Sequence, residues 1–260
     1  MCSSNATQRA LGPTIRTKDL AAGYPGKVVL RDANITLPGG AISVILGGSG
    51  CGKSTLLRHI LGLAEPQGGK IFVDEEDLFT MSPERFYARK REMGVLFQNG
   101  ALLGSLTVGE NISLPLLEHT EQDDDTIRER VLHTLSLVEL EHTIDMFPNQ
   151  LSGGMVKRAG LARALVMDPH MLLCDEPSAG LDPITAADVD ALLLHLHESL
   201  GMTIVVVTHD LDSLFTIAQH VVMLHGGGVL FEGTLDELRA SQDAYVRQFL
   251  GRKPATRGEV

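Results

Sequence analysis

The sequence lacks the features that mark a membrane-spanning or secreted chain. Its longest apolar runs, such as residues 204–207, fall far short of the ~20 residues that a spanning helix requires. The first residues show no basic patch followed by an apolar stretch, so we expect no signal peptide. Three cysteines (Cys2, Cys51 and Cys174) are odd in number and irregular in spacing, which is typical of reduced thiols. We therefore expect a cytosolic protein that serves any membrane as a peripheral subunit on its cytoplasmic face.

Positive charge is also scarce. The chain has 22 Lys and Arg against 33 Asp and Glu, a net charge of −11, and no block of basic residues. Phosphate neutralisation needs a positive surface, so nucleic acid is not expected as a partner. The 260 residues are 43% hydrophobic, which is typical of a globular chain and too apolar for disorder.

Short apolar runs alternate with helical patterns along the chain. Residues 41–46, 171–174 and 203–207 are nearly continuous apolar runs, typical of strands buried on both faces. Helical patterns separate them, notably over residues 186–200. This alternation predicts an α/β fold with a parallel sheet and crossover helices.

Changes in composition and pattern along the chain predict its domain organisation. Residues 1–13 are polar and end in Gly-Pro, which predicts a flexible leader. The main domain is expected over residues 14–235, and residues 99–164 interrupt its rhythm with a mainly helical insert. Residues 236–260 form a tail that could contact a partner, and its role is open.

The first buried strand leads into a glycine-rich turn and then a helix, and the turn fits G-x-x-x-x-G-K-[ST]. Its glycines let the backbone aim N–H groups at a polyphosphate, and the following helix adds its positive end. The lysine would contact the β- and γ-phosphates, and the serine hydroxyl would hold Mg²⁺. A turn without a ligand is the alternative, which the strand–loop–helix context disfavours. The loop comprises Gly47, Gly48, Ser49, Gly50, Cys51, Gly52, Lys53 and Ser54.

Cys51 lies within this cation-rich loop. A thiolate there could be sensitive to oxidation. We favour the alternative that it points aside as a small residue.

Carboxylates and an imidazole follow the other two buried strands. Asp175 could bind Mg²⁺ together with Ser54, and Glu176 could orient and polarise the attacking water. His209 follows the third strand and could hydrogen-bond a γ-phosphate, because ligands bind at the carboxyl edge of such sheets. Taken alone, each of these would be an ordinary surface residue. Three strands that end at one edge favour the catalytic interpretation.

A second anion site is predicted at Ser152-Gly153-Gly154, which precedes a helical run. Ser152 is a good N-cap, and the glycines leave the first turn without side chains. Its distance along the chain from the phosphate loop suggests that it serves another molecule's nucleotide. Two copies at −11 each should repel, and Mg·ATP between them would bridge them. An ordinary capped helix is the alternative.

Together, and in this order, these motifs resemble the nucleotide-binding subunit of an ATP-binding cassette (ABC) transporter. The resemblance implies a P-loop NTPase (RecA-like) core with a parallel sheet, an antiparallel β subdomain and a helical insert subdomain, and ATP and Mg²⁺ as cofactors. It also implies that Tyr24 stacks on adenine and that Thr55 joins the nucleotide contacts. Gln98 would sense the metal or γ-phosphate, and Asp182 would help to couple two sites across a dimer.

Met155 stands where the commonest signature of the family has Gln. This difference points to one subgroup of the family. Residues 151–164, 96–102 and 175–185 are similar to the ATPases of Mla/Mce lipid-transport systems. That similarity implies a second ATPase copy, a multispan permease, an Mce-domain substrate-binding protein and a small STAS-domain subunit, moving phospholipid or another lipid. The effect of Met155 on turnover stays open. The Gly that relatives often have in the turn at residues 73–77 is absent, and we expect this to affect only that edge.

Other functions remain as alternatives. An ABC importer ATPase for another substrate carries the same motifs. A soluble ABC ATPase acting on nucleic acid or ribosomes generally has two cassettes, a coiled-coil insert or basic extensions. A non-hydrolysing nucleotide-binding regulator is disfavoured by Glu176 and His209. The apolar residues 101–103 could receive a permease helix or form a plain core contact.

Overall fold

The computed structural model of the chain describes residues 12–252, which form two sheets and a set of helices. The strands are β1 (Ile15–Tyr24), β2 (Lys27–Leu37), β3 (Ile42–Gly47), β4 (Gly68–Val73), β5 (Glu76–Asp77), β6 (Met93–Leu96), β7 (Met171–Asp175), β8 (Thr203–Val207), β9 (His220–His225) and β10 (Gly228–Thr234). The helices are α1 (Lys53–Ile60), α2 (Pro83–Arg91), α3 (Val108–His119), α4 (Asp124–Leu137), α5 (Gly153–Leu165), α6 (Pro183–Leu200), α7 (Leu211–Ile217), α8 (Leu235–Ala240) and α9 (Ala244–Leu250), with short 3₁₀ turns at Glu141–Thr143 and Pro148–Gln150.

A six-stranded sheet forms the centre, in the order β10-β9-β3-β8-β7-β6. Its strands are parallel except for the antiparallel β9–β10 pair, so the predicted parallel sheet is confirmed. Successive residues alternate between two cores: Val44 and Val206 face one, and Ile45 and Val207 face the other. Because both faces are covered, the strands read as continuous apolar runs.

The second sheet is antiparallel, in the order β2-β1-β4-β5, and shares one of these cores with α1. At its edge, the turn without glycine is made by Asp74, which adopts a left-handed φ of 55°. The Asp74 N–H donates to the Thr14 carbonyl (2.7 Å), and Asp74 Oδ1 accepts from the Thr14 N–H (3.0 Å). Aspartate tolerates this conformation better than most residues, so the turn forms without glycine.

Helices α3, α4 and α5 occupy the stretch where sequence predicts a helical insert. The buried side chains of Ile127, Val131, Leu135 and Val138 line the predicted apolar face. Arg130 ties α4 to the end of α5, since its Nε donates to the Val166 carbonyl (2.8 Å) and its guanidinium pairs with Asp168.

Both ends of the chain extend beyond the described residues, but the last two residues of the predicted leader are described. Most of the predicted leader, with Cys2, lies outside the described residues, but Gly12 and Pro13 are buried. The Gly12 N–H donates to the Gly201 carbonyl (3.2 Å), and the Pro13 carbonyl accepts from Thr203 Oγ1 (2.9 Å). These two residues therefore pack as part of the main domain, and residues 253–260 of the tail lie outside the described part. Among the described helices, none combines the length and apolarity needed to cross a membrane.

Candidate active site

The phosphate loop joins β3 to α1 and folds around its lysine. The Lys53 side chain is almost buried, and its Nζ donates to the carbonyls of Gly47 (2.8 Å) and Gly48 (3.1 Å). Gly52 precedes the helix with φ of 110°, and no side chain caps the first turn. Backbone donors at the start of α1 are thus left without side-chain acceptors beside a fixed ammonium, which suits a polyphosphate.

Cys51 is half-buried within this loop and packs against the core that α1 shares. A Cβ at Gly47 would lie 2.5 Å from the Cys51 sulfur, so the thiol turns towards the loop's own backbone. Ser49 and Gly50, in contrast, are exposed at the tip.

Ser54 and Asp175 meet across the sheet edge, as the sequence predicts. Ser54 Oγ donates to Asp175 Oδ1 (3.3 Å), although 121 residues separate them. Burial raises the pKa of the Asp175 carboxyl, and the bond from Ser54 opposes that rise. A hydroxyl and a carboxylate oxygen are hard ligands of the kind that Mg²⁺ prefers, so the pair fits that ion.

Glu176 and His209 form a second pair beside the first. His209 Nδ1 lies 2.8 Å from Glu176 Oε1, and Thr208 Oγ1 donates to Glu176 Oε2 (3.4 Å). The carboxylate is mostly buried, whereas the imidazole is exposed. Glu176 has a left-handed φ of 52°, a conformation that costs a non-glycine residue about 1 kcal/mol. A held carboxylate next to an open imidazole can accept a proton from water at this edge.

Gln98 follows β6, the neighbour of β7. Leu96 pairs with Cys174, so Gln98 and Asp175 leave their strands at the same edge. The Gln98 side chain is exposed. Within residues 12–252 no hydrogen bond joins it to Ser54 or Asp175, so its predicted metal contact stays a prediction.

Tyr24 and Thr55 stand together at the other side of the loop. Thr55 Oγ1 donates to the Tyr24 hydroxyl (3.5 Å), and Gln67 Nε2 donates to the Tyr24 carbonyl (2.7 Å). The Tyr24 side chain is 47% exposed, which leaves a ring face open for stacking.

The predicted second anion site opens α5. Ser152 caps the helix, accepting from the Met155 N–H (3.3 Å), and Gly153 is exposed. Gly154 is buried, and a Cβ there would lie 2.4 Å from Thr185 Cγ2, so packing against α6 also requires this glycine. The Met155 side chain packs on the core and leaves the helix end open. In the described chain no hydrogen bond joins this site to the phosphate loop.

Asp182 caps α6 within its own chain. Its Oδ1 accepts from the N–H groups of Ile184 and Thr185 (both 3.1 Å), and its Oδ2 accepts from Thr185 Oγ1. The side-chain bond from Thr185, followed by its backbone bond, lowers the pKa of Asp182. The structure therefore gives Asp182 a capping role, and the predicted coupling across a dimer stays a prediction.

Sequence reasoning missed two residues that touch this site. Lys157 on α5 is buried and donates to the carbonyls of Gln98 and Glu176 (3.1 Å for Glu176), and burial lowers its pKa while the Glu176 carboxylate opposes the shift. The sequence pattern could have indicated its burial, because Lys157 lies at helical spacing from Gly154 and Leu161, on the packed face of the helix. Tyr245 on α9 stacks on His225 (centroids 3.7 Å apart), and its hydroxyl would lie 3.1 Å from a Cβ at Gly48. No local pattern indicated that contact.

Comparison with known proteins decides the family. The family model described as ABC transporter matches residues 30–179, which include the phosphate loop, the α5 start and the Asp175–Glu176 pair. The chain belongs to the ABC transporter family. As such it binds ATP and hydrolyses it to ADP and phosphate, coupled to transport.

Curated relatives match almost all of the chain. The probable ribonucleotide transport ATP-binding protein mkl of Mycobacterium tuberculosis is 39% identical over 92% of this ABC chain and 67% of the relative. The intermembrane phospholipid transport system ATP-binding protein MlaF is 38% identical in Haemophilus influenzae (91% of this chain, 89% of the relative). In Escherichia coli K12 it is 36% identical (94% and 90%).

Solved ABC cassettes share the fold. The dimeric, post-hydrolysis structure of the cassette MJ0796 with ADP and Pi has a TM-score of 0.77 at 32% identity, covering 85% of this chain and 98% of that one. The structure of cbiO1 from Clostridium perfringens, part of the transporter complex cbiONQ, has a TM-score of 0.80 at 30% identity, covering 93% and 97%. The expected P-loop NTPase fold is thereby confirmed.

Proposed function

We propose that this ABC ATPase powers the transport of phospholipid or a related lipid. Support comes from the MlaF relatives, which match 36–38% of aligned residues over nine-tenths of both chains, and from the Met155 signature. The name of mkl favours a second candidate, a ribonucleotide transporter, which shares the same cassette.

One observation carries the catalytic part of the proposal: two functional pairs meet at one edge of the sheet, beside the neighbouring strands β3, β8 and β7. Ser54, in the first turn of the helix after β3, meets Asp175 at the end of β7, and Glu176 and His209 follow β7 and β8. Ser54 and Asp175 would hold Mg²⁺, with Gln98 as a further oxygen ligand, and the ion would neutralise phosphate charge. Glu176 would take the proton of the attacking water, and His209 would contact the γ-phosphate.

The active form is proposed to be a homodimer. Ser152 and Gly153 are exposed at the start of α5, which has only one side-chain cap, so this helix end can receive the nucleotide of a second copy. The dimeric state of MJ0796 supports this arrangement. Since each copy carries −11, Mg·ATP between them would offset repulsion, and hydrolysis would release it.

The membrane partner would be a multispan permease that binds the cassette at the cytoplasmic face. A groove beside Gln98 exposes Phe97 (41%), with Tyr87, Val95 and Pro115 along its sides. Of the predicted socket at residues 101–103, Leu103 is 50% exposed and Leu102 packs on the core. A cytoplasmic permease helix would fit the groove, and an Mce-domain protein and a STAS-domain subunit would complete the complex.

The catalytic part is tested by Glu176→Gln in the assembled complex. We expect kcat to fall by about 100- to 10,000-fold, because the amide cannot accept the proton of water. Binding of Mg·ATP should persist, as measured by nucleotide titration. Glu198→Gln, an exposed change on α6, is the control. Normal turnover by the Glu176 variant would refute the assignment.

The cargo is tested by affinity purification of the tagged chain from mild detergent, with identification of co-purified proteins and small molecules. The hypothesis of lipid transport predicts that an Mce-domain protein co-purifies and that more phospholipid is recovered than with a Lys53→Ala control. Co-purification of a ribonucleotide-binding receptor, with no lipid enrichment, would favour the mkl-like alternative.

A further inference from the structure

A buried cation connects α5 to two residues of the active site. Lys157 is 6% exposed, and its ammonium donates to the carbonyls of Gln98 and Glu176, which lie 59 and 19 residues away in sequence. An ammonium has three N–H donors, and removing it from water is costly unless they are paired. Two of its donors are used by backbone groups of residues assigned to ATP hydrolysis.

At Glu176 this contact adds to the support of a strained residue, whose carbonyl also accepts from the Ala179 N–H (3.2 Å). The Glu176 N–H donates to the Val207 carbonyl (2.8 Å), and its own carbonyl accepts from Lys157 (3.1 Å). Both backbone polar groups of the left-handed residue are therefore fixed from outside. Their orientation sets where the carboxylate points, and a misplaced catalytic group loses rate steeply.

At Gln98 the contact belongs to a longer seam between α5 and the segment that follows β6. Arg163 donates to the carbonyls of Gly100 (3.0 Å) and Ala101 (2.6 Å). A Cβ at Gly160 would lie 3.0 Å from Gly100, so the helix and the segment are in close contact. Lys157, Gly160 and Arg163 recur every three residues and share a helix face.

We propose that Lys157 is a positioning residue for ATP hydrolysis, which fixes the backbone of Glu176 against α5 and uses the Gln98 carbonyl as its second anchor. It does not touch the nucleotide in this proposal and acts through Glu176. The proposal rests on the hydrolytic role assigned to Glu176, and its test separates the two.

The first experiment removes the donor while keeping most of the length of the side chain. Lys157→Met in the intact complex should lower kcat by about 10- to 100-fold. The KM and the dissociation constant for Mg·ATP should change by less than about threefold, because the phosphate loop is untouched. Lys157→Arg retains donors for both carbonyls and should restore kcat to within about fivefold of the parent chain.

Arg130→Met is the matched control. It removes a half-buried cation that donates to a carbonyl at the end of the same helix and contacts neither residues 98–101 nor Glu176. Its kcat should match that of the parent chain. If it loses as much activity as Lys157→Met, loosening α5 in general explains the effect and the proposal is overturned.

The second experiment asks whether Lys157 acts through Glu176. In a Glu176→Gln background, Lys157→Met should reduce the residual rate by less than about threefold, because residues that act as a unit are non-additive. An equal factor in both backgrounds would overturn the proposal. Normal turnover by Glu176→Gln alone would instead refute the proposed role of Glu176. If Lys157→Met does not fold, the test rests on Lys157→Arg. A kcat for Lys157→Arg below about a tenth of that of the parent chain would then count against the proposed positioning role.

Discussion

Helices α1 and α5 both begin at a glycine-rich turn, yet their first turns are built differently. α1 has a left-handed Gly52 before it, no side-chain cap, and the buried Lys53 ammonium and the Ser54–Asp175 pair beside it. α5 has Ser152 as an extended N-cap whose hydroxyl accepts from Met155. The start of α1 carries its own cation and the proposed metal ligands, whereas the start of α5 offers mainly backbone donors.

This difference shows how one helix property can serve two purposes. A helix N-terminus alone attracts an anion weakly, by roughly 0.3–1 kcal/mol when exposed. With the Lys53 cation and the proposed Mg²⁺ ligands beside it, the start of α1 would form a complete phosphate site. The bare end of α5 can therefore contribute only when another site delivers the phosphate, which is the arrangement proposed for the dimer.

The largest effect is expected when the cation that distinguishes the start of α1 is removed. Lys53→Ala should weaken Mg·ATP binding by at least about 100-fold, because a charge-assisted contact in a nearly buried loop is lost. Titration of the purified chain with nucleotide measures this. Lys70→Ala, on the exposed side of β4, is the control and should bind normally. Unchanged affinity in Lys53→Ala would show that the cation does not distinguish the start of α1 from the start of α5.

A second prediction concerns α6, which supports the start of α5. Asp190 on α6 is buried, its Oδ1 has no hydrogen-bond partner, and burial raises its pKa to about 6. A raised pKa in the folded state favours the protonated carboxyl, so stability is lost as pH rises through about 6. Asp190→Asn should therefore increase the free energy of unfolding, by up to about 3 kcal/mol at pH 8 and about half of that at pH 5. Denaturant unfolding at both pH values measures it, and a difference independent of pH would contradict the assignment.

A third prediction separates the two glycines of α5. Gly154→Ala should lower kcat/KM by about tenfold, since its Cβ would lie 2.4 Å from Thr185 Cγ2 and tilt the helix start. Gly153→Ala should cost less, because its Cβ would meet Leu181 Cδ2 at 3.3 Å. Thr185→Ser removes the clashing methyl and keeps the hydroxyl bonded to Asp182, so the double variant should recover activity. Equal losses at both glycines, or no recovery, would show that packing on α6 does not set this end.

The smallest effect is expected at Tyr245, whose hydroxyl lies near the phosphate loop that precedes α1. Tyr245→Phe keeps the stacking on His225 and removes the hydroxyl near Gly48. We expect Mg·ATP affinity to fall by about two- to threefold, because the hydroxyl no longer packs beside Gly48 in the phosphate loop. The same titration measures it, and an unchanged dissociation constant would mean that α9 does not support the loop.

Sequence reasoning reached the parts of this protein that local chemistry specifies. Runs of apolar residues located β3, β7 and β8, and the glycine-rich motif located the start of α1, because side-chain periodicity and backbone freedom are local properties. The pairing of Ser54 with Asp175 followed from the chemistry of phosphate loops, in which a carboxylate joins the loop hydroxyl in holding Mg²⁺. Residues 12 and 13, placed in the leader, instead pack in the fold, because their partners at Gly201 and Thr203 are distant in sequence.

What the sequence determined by itself is the chemistry: a phosphate loop, carboxylates after buried strands, and a glycine-rich helix start. Only the tertiary structure decided which of these groups are held by others. Lys157 is held by the carbonyls of Gln98 and Glu176, and the Asp182 carboxylate is held by Thr185, while its predicted coupling across a dimer stays a prediction. The reason is physical, since burial and hydrogen-bond partners depend on contacts between segments that no local pattern encodes.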